Sequence, residues 1–457
     1  MPKYKKTLFV FRRDLRLHDN TGLLFALESS ASVLPVFIFD PRQIKDNQYF
    51  SAPAFQFMLQ SLEELDQVLQ GKQSALHCFS GAAQEVIAKL IETEKFDAVV
   101  VNKDYTPFSV DRDLAIAEVC RIKNVDFQAF DDALLNGPDA VSKNDGGVYT
   151  VFTPYFRKAS TLPVREPRKN SLMNYAKPSS GLNARIELKQ FKKADQPAWA
   201  IKGGRREALQ ILSNVVKYRN YNAVRDTPSL DATTHLSAHM KFGTCSPREI
   251  FCAISRTLGS NHPLLRQLYW RDFFAQVGFH HPYVLGRSFH EKYDKIVWEN
   301  DQKKFQLWCE GRTGFPLVDA GMRELNVTGY MHNRVRMVTA SFLVKDLHID
   351  WRWGEKYFAQ KLVDYDPLVN NGNWQWAAST GCDAQPYFRI FNPWLQQERF
   401  DPDCVYIKRW LPELGAFSAK QIHRIASEPL LRPDSYPAPV ADHKKASEAA
   451  KKFFRAC

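Results

Sequence analysis

The sequence predicts an α/β N-terminal domain built on a doubly wound parallel sheet, followed by a large all-α domain. Three observations carry this. Over the first 130 or so residues short apolar runs alternate with amphipathic stretches. From about 131 to 200 that alternation breaks down, and from about 200 onward the chain reads as helices joined by short Gly, Pro and Asn turns. Apolar strands that alternate with helices imply a sheet covered on both faces, because each parallel strand needs a crossover to return. At 457 residues, 44% hydrophobic and 25% charged, the chain fits a globular protein of more than one domain.

In chain order, the predicted strands are Thr7–Phe11, Val33–Phe39, Ala75–Phe79, Asp97–Val101 and Asp126–Phe130, with amphipathic helices such as Ala54–Leu69 and Ala82–Ile91 between them. No GxGxxG follows the first strand, so the dinucleotide fingerprint is missing. The strand runs instead into Phe11-Arg12-Arg13-Asp14-Leu15-Arg16-Leu17-His18-Asp19-Asn20. Five prolines between 151 and 200 (Pro154, Pro163, Pro167, Pro178, Pro197) disfavour regular elements and predict a connector that wraps the surface. The organisation expected is therefore 1–130, a connector 131–200, and a helical domain 201–457, in which one helix runs over Arg323–Lys345 and ends near Asp346.

Composition excludes several classes. No run of about 18 apolar residues exists, so no membrane span is expected. The N-terminus lacks the apolar core and cleavage site of a signal peptide, which predicts a cytoplasmic protein. The eight cysteines are scattered, with no CxxC and no HExxH, so a metal site is not expected and reduced thiols fit the cytosol. A formal charge of +12 favours a polyanionic partner such as nucleic acid, since basic side chains release its counterions. Nine of the ten tryptophans lie beyond residue 269; they serve as core filler, or they bind a flat ligand, stack bases or conduct electrons.

The motifs in the second half choose among these. Tyr330-Met331-His332-Asn333-Arg334-Val335-Arg336-Met337, followed by Ala340–Leu347, closely resembles the helix that lies over the flavin in the photolyase/cryptochrome family. Asp350-Trp351-Arg352, Asp364-Tyr365-Asp366, Asn370-Asn371-Gly372-Asn373-Trp374-Gln375-Trp376 and Pro386–Pro393 then follow in the family's order and spacing. The resemblance extends from Phe11 to about Pro412.

This resemblance implies a buried, reduced FAD. Arg336 and Asp364 match a pair over its ring, and Asn370 matches an amide facing the ring nitrogen that gains or loses a proton. Tyr221 and Thr233-Thr234-His235-Leu236-Ser237 match the phosphate-binding segment, although Thr-Thr-x-x-Ser in isolation reads as a helix cap. Gln267, Trp270, Arg271, Asn333 and Asp366 complete the implied cofactor contacts. For a lesion flipped out of duplex DNA, Trp270 and Trp376 match aromatic walls, and Asn333 and Met337 match a floor. Gln267 positions the lesion, and Arg225, Arg334 and Gln396 are candidates for the DNA backbone. Trp374, Trp351 and Trp298 match a hopping chain that lets light reduce the flavin.

The implied activity is light-driven repair of cyclobutane pyrimidine dimers by a monomer acting on double-stranded DNA. The departures matter. Gln267 stands where bacterial cyclobutane-dimer enzymes carry Glu and resembles (6-4) photolyases and animal cryptochromes. Those (6-4) enzymes carry a histidine pair where this chain has Asn333 and Met337, so the dimer reading is preferred. Asp272 replaces a common Glu and Tyr330 a common Trp, neither of which changes the expected chemistry. A (6-4) photolyase and a blue-light photoreceptor are the alternatives; against the photoreceptor, the chain ends at Cys457 with no long tail. A plain flavoprotein oxidoreductase is a third class, and against it the sequence shows no hydride-donor site such as a nicotinamide fold. No acidic residue in Asn102–Ser109 clearly matches the one that contacts folate, which leaves a deazaflavin, a second flavin such as FMN, or an empty antenna site.

Overall fold

The computed structural model describes residues 2–45, 47–177, 188–191, 198–428, 430 and 432–457. The chain divides into two compact units: Met1–Asp195 with Ile201–Arg219 and Thr234–Pro282, and Gln196–Ala200 with Asn220–Thr233 and Tyr283–Cys457.

In the first unit, β1 (Tyr4–Phe11), β2 (Ser30–Phe39), β3 (His77–Ser80), β4 (Ala98–Asn102) and β5 (Asp126–Phe130) form one parallel sheet in the order β3-β2-β1-β4-β5. The strands lie where the apolar runs predict them, within a few residues at the ends. Crossover helices Thr21–Ser29, Ala52–Gln70, Ala83–Glu94 and Pro107–Ile122 separate them. Asn20 caps the first, accepting from the Leu23 N–H, and Thr106 caps the last, with Pro107 preset for the first turn. The interior strand β4, flanked by β1 and β5, is fully buried, which is why it reads as a continuous apolar run. The chain order reverses between β1 and β4, so their C-terminal ends bound the crevice where such sheets bind ligands.

The residues after β1 are mostly structural. Arg248 donates to Asp19 at 2.8 Å and to Asp132 at 2.7 Å, and Arg16 donates to Asp132 at 2.5 Å, all four side chains being buried. Buried charges are tolerated only when they are paired in this way. The connector departs from its expected irregularity: Phe152–Ala159 is a helix, with Pro154 accommodated near its start. Its Phe152, Tyr155 and Ala159, spaced at i, i+3 and i+7, are buried and form one face. Pro178 and Pro197 lie outside the described residues.

The second unit is helical. The single helix expected over Arg323–Lys345 is instead two, Pro316–Thr328 and Asn333–Lys345. Gly329 ends the first in the left-handed conformation at φ 70°, and His332 caps the second by accepting from the Arg334 N–H. Both helices, with Trp351–Lys361 and Pro367–Ala378, pack around a core that includes Trp308, Phe342, Trp351, Phe358 and Trp374. The approach between Trp351–Lys361 and Pro367–Ala378 is close: a Cβ on Gly354 would lie 2.2 Å from Trp374 Cη2. The last helix, His443–Arg455, docks through His348 Nε2 to the Ala446 carbonyl at 2.9 Å and His443 Nδ1 to Asp346 at 2.5 Å. Its Phe454 meets the rings of Tyr293, Trp298 and Tyr387, and the Lys345 amine lies 3.4 Å from the Phe454 ring centre. No helix among the described residues is long and apolar enough to cross a membrane.

Candidate active site

In the second unit, Arg336 projects from the Asn333–Lys345 helix and grips Asp364 with both Nη atoms, at 3.2 and 3.0 Å, while its Nε donates to the Met331 carbonyl at 2.7 Å. Two parallel N–H···O bonds fix the guanidinium plane as one would not. Burial opposes the Arg336 charge, but Asp364 outweighs it, so the guanidinium is held above its ordinary basicity. The pair is a fixed dipole.

Asn370 lies one turn before Trp374 on the Pro367–Ala378 helix. Its Nδ2 donates to the Glu355 carbonyl at 3.3 Å and to the Glu355 side chain at 3.0 Å. Two acceptors on one residue decide which way the amide points. Its Oδ1 makes no hydrogen bond among the described residues. Burial pushes the Glu355 carboxyl up to about 7, and the Asn370 hydrogen bond only partly offsets this. Glu355 carries no motif signal in the sequence; only its place opposite Asn370 reveals it.

Trp374 and Trp351 are buried and Trp298 is half-buried against the same core. The rings nearest Trp374 are Phe358 at 4.9 Å and Trp308 at 6.3 Å, whereas Trp351 has the Arg352 guanidinium 4.9 Å from its ring. Sequence reasoning gave Trp308 no role. The Trp351 Nε1 is buried without a hydrogen-bond partner among the described residues.

Asn333 is exposed and its Nδ2 lies 3.7 Å from Met337 Sδ, so the two implied floor residues touch. Trp376 is half-buried on the same core. Arg334 pairs with Asp226 at 3.0 Å, and the Arg225 guanidinium lies 5.8 Å from the Tyr221 ring centre. The Gln396 Oε1 is buried without a partner among the described residues. Thr233 Oγ1 lies 3.4 Å from the Tyr330 hydroxyl, and Asp366 caps the Pro367–Ala378 helix. Phe388, 57% exposed beside the exposed Arg389, was not singled out from the sequence.

In the first unit, Gln267 and Trp270 lie on the Pro263–His280 helix, both half-buried, and the Gln267 amide makes no hydrogen bond among the described residues. Arg271 donates to the Ala133 carbonyl at 2.5 Å and the Met240 carbonyl at 3.4 Å, main-chain partners that no motif predicts. His235 takes a left-handed conformation before the Leu236–Phe242 helix, which includes Ser237, and the Leu236 N–H points to Thr234 Oγ1 at 3.4 Å. Asp272, expected to stand in for a Glu, accepts from the Asn136 N–H at 3.0 Å, and burial pushes its carboxyl up to about 7.

These features fit a flavin in the second unit. A reduced isoalloxazine ring offers an N–H donor, and Asn370 offers an unengaged carbonyl oxygen held outward by Glu355. The Arg336–Asp364 pair supplies both signs of charge for ring polar atoms.

Comparison with known proteins agrees. The family models for DNA photolyase and for the FAD binding domain of DNA photolyase match residues 7–170 and 264–456. A deoxyribodipyrimidine photo-lyase of Alkalihalophilus pseudofirmus is 37% identical, with 97% of each chain covered. The crystal structure of the Sulfolobus tokodaii photolyase, which contains two FAD molecules, superposes with a TM-score of 0.90 at 43% identity, covering 99% of this chain and 100% of that one. A Synechocystis cryptochrome structure superposes at 0.88 with 28% identity, covering 99% and 100%. With both family models matched in order along one chain, and with relatives aligned over nearly their whole length, the chain belongs to the DNA photolyase family.

Proposed function

We propose that this protein repairs cyclobutane pyrimidine dimers in DNA, using light and a reduced FAD, a reading supported by relatives that carry the name deoxyribodipyrimidine photo-lyase. The observation that carries this reading is Asn370, whose carbonyl oxygen is left to accept from a ring N–H because Glu355 engages its amide hydrogens. When bound, FAD supplies the electron that opens the cyclobutane ring and takes it back, with no net redox change.

The chain's own residues do the rest. Arg336 and Asp364 orient the ring, and Tyr221, the Thr233–Ser237 segment, Asp366 and Arg271 frame the remainder of the cofactor. A damaged step pairs and stacks poorly, so flipping it from the duplex costs least there. Trp270 and Trp376 stack on it, Asn333 and Met337 support it, and Gln267 offers a donor and an acceptor to a thymine edge. Arg225, Arg334 and Gln396 meet the DNA backbone, and the +12 charge draws the polyanion in. Trp374, Trp351 and Trp298 relay electrons from the surface. The domain organisation 1–130, 131–200 and 201–457, action as a monomer, and a cytoplasmic location belong to the same proposal.

For the antenna, the proposal is a flavin nucleotide beyond the C-terminal ends of β1 and β4. Arg12 and Arg112 share Asp113, at 2.7 and 3.2 Å, and each keeps a buried Nη2 without a partner among the described residues. Burial and the neighbouring Arg12 lower Arg112 to about 10. Two guanidinium groups on one carboxylate leave a positive charge that a phosphate would neutralise. This supports FMN or a second FAD over folate, in line with the two FAD molecules of the Sulfolobus tokodaii photolyase.

A second reading, repair of the (6-4) product, is favoured by Gln267 alone. Against it, the helix positions that would need histidines hold Asn333 and Met337, and the Nδ1 of His332 accepts from the Arg334 N–H as a helix cap. The test is illumination of the purified protein with each defined lesion in DNA, scoring direct reversal. Repair of the cyclobutane dimer alone is expected; reversal of the (6-4) product with dimers untouched would overturn the lesion assignment.

A further inference from the structure

The resemblance gives Trp270 a role but says nothing of what holds its ring. The structure does. Phe152, at the start of the connector helix Phe152–Ala159, lies flat on the Trp270 indole, with ring centres 3.5 Å apart and planes within 6°. Phe273 meets the indole edge-on at 5.8 Å, and Phe274 lies beside it at 5.6 Å. Phe152 is itself only 1% exposed, whereas Trp270 is half-buried.

Two flat rings face to face are not the arrangement aromatic pairs prefer, because their electron-rich faces repel; offset and edge-on pairs are better. Arg266 accounts for the exception. It lies one helical turn before Trp270, with its guanidinium 5.2 Å from the Phe152 ring centre and 5.1 Å from that of Phe156. A cation near an aromatic face draws its π density and makes that ring a better neighbour for a second electron-rich one. The indole is therefore fixed before any ligand arrives, and association does not have to immobilise it.

We infer that Phe152 is a positioning residue for Trp270: it sets the plane of the indole and, through it, the preference of this protein for a flipped lesion over undamaged DNA. This rests on the reading that Trp270 receives the lesion.

The test measures binding of the FAD-containing protein, in the dark, to dimer-bearing and undamaged duplexes of the same sequence, and takes the ratio of the two affinities. Contacts to phosphates affect both duplexes and cancel in that ratio. Phe152→Leu should lower it roughly 2- to 10-fold, the range of one aromatic pair, while Phe152→Tyr, which keeps the ring, should leave it near the original. In a Trp270→Ala background Phe152→Leu should change the ratio no further, since a residue acting through Trp270 has nothing left to act on. Arg266→Gln perturbs the same stack from an exposed position without emptying the core, so it reports even if Phe152→Leu does not fold; it should lower the ratio only while Trp270 is present. An unchanged ratio in Phe152→Leu or Arg266→Gln, with the ratio lost in Trp270→Ala, overturns the inference and leaves the lesion wall standing. A full ratio in Trp270→Ala overturns the wall itself.

Discussion

Glu355 makes the stability of this protein depend on pH in a direction opposite to that of most carboxylates. Burial raises its carboxyl from the ordinary 4.5 to about 7, against the hydrogen bond from Asn370. The folded chain therefore holds a proton on Glu355 across a range in which the unfolded chain has lost it. Stability falls wherever the native state binds more protons, so this group costs stability as pH rises from about 4.5 through 7. At about 1.4 kcal/mol per pH unit, the full effect is about 3 kcal/mol. Glu355 is only 6% exposed, so solvent screening takes little of it away. Glu355→Gln keeps an acceptor for Asn370 and removes the titration. Urea unfolding of the FAD-containing protein and the variant, followed by tryptophan fluorescence from pH 4.5 to 8, should show the variant gaining about 3 kcal/mol on the parent by pH 8. Asp272, also pushed to about 7, titrates in both proteins and drops out of the difference. Parallel stability curves for the two proteins would refute the reasoning and leave Glu355 ionised at neutral pH.

Three further outcomes are expected. Trp374→Phe should abolish light-driven reduction of oxidised FAD, followed by absorbance under a sacrificial reductant, while repair starting from chemically reduced FAD stays within about two-fold; equal loss of both would make Trp374 a packing residue. Gly354→Ala places a methyl 2.2 Å from Trp374 Cη2 and 2.4 Å from Leu343 Cδ2. It should cost about 1–3 kcal/mol, read as a melting temperature lowered by several degrees, and should slow the same photoreduction. Arg334→Ala should weaken binding to lesion DNA and flatten the slope of log affinity against log salt by about one unit, as titrations at 50–200 mM salt would show; an unchanged slope would mean that Arg334 serves only its ion pair with Asp226.

The sheet was legible because its interior strands, β4 above all, are buried and write short apolar runs, and even the half-exposed edge strand β5 matched its predicted ends. The break at Gly329 was not, because apolar periodicity continues through Tyr330 and Met331, both buried, although the backbone turns there. The Phe152–Ala159 helix was hidden by proline density, although a proline early in a helix does no harm. At the site, motif order pointed to Arg336, Asp364 and Asn370 because chemistry restricts those residue types. Glu355, Phe152 and Trp308 escaped because each acts on another side chain rather than on a ligand, and such contacts join residues far apart in sequence without leaving a spacing to read.

The docking of the last helix bears on how shortened forms of this protein would behave. Phe454 shields one edge of Trp298, and the same ring lies over the Lys345 amine, which burial holds well below the ordinary lysine value and which has no hydrogen-bond partner among the described residues. Trimming residues 443–457 would remove that shield, hydrate and protonate Lys345, and free Asp346 from His443. Trp298 fluorescence would then become open to aqueous quenchers such as iodide. A truncated enzyme would also gain a newly charged, water-filled notch beside Trp298, through which dissolved reductants could reach it.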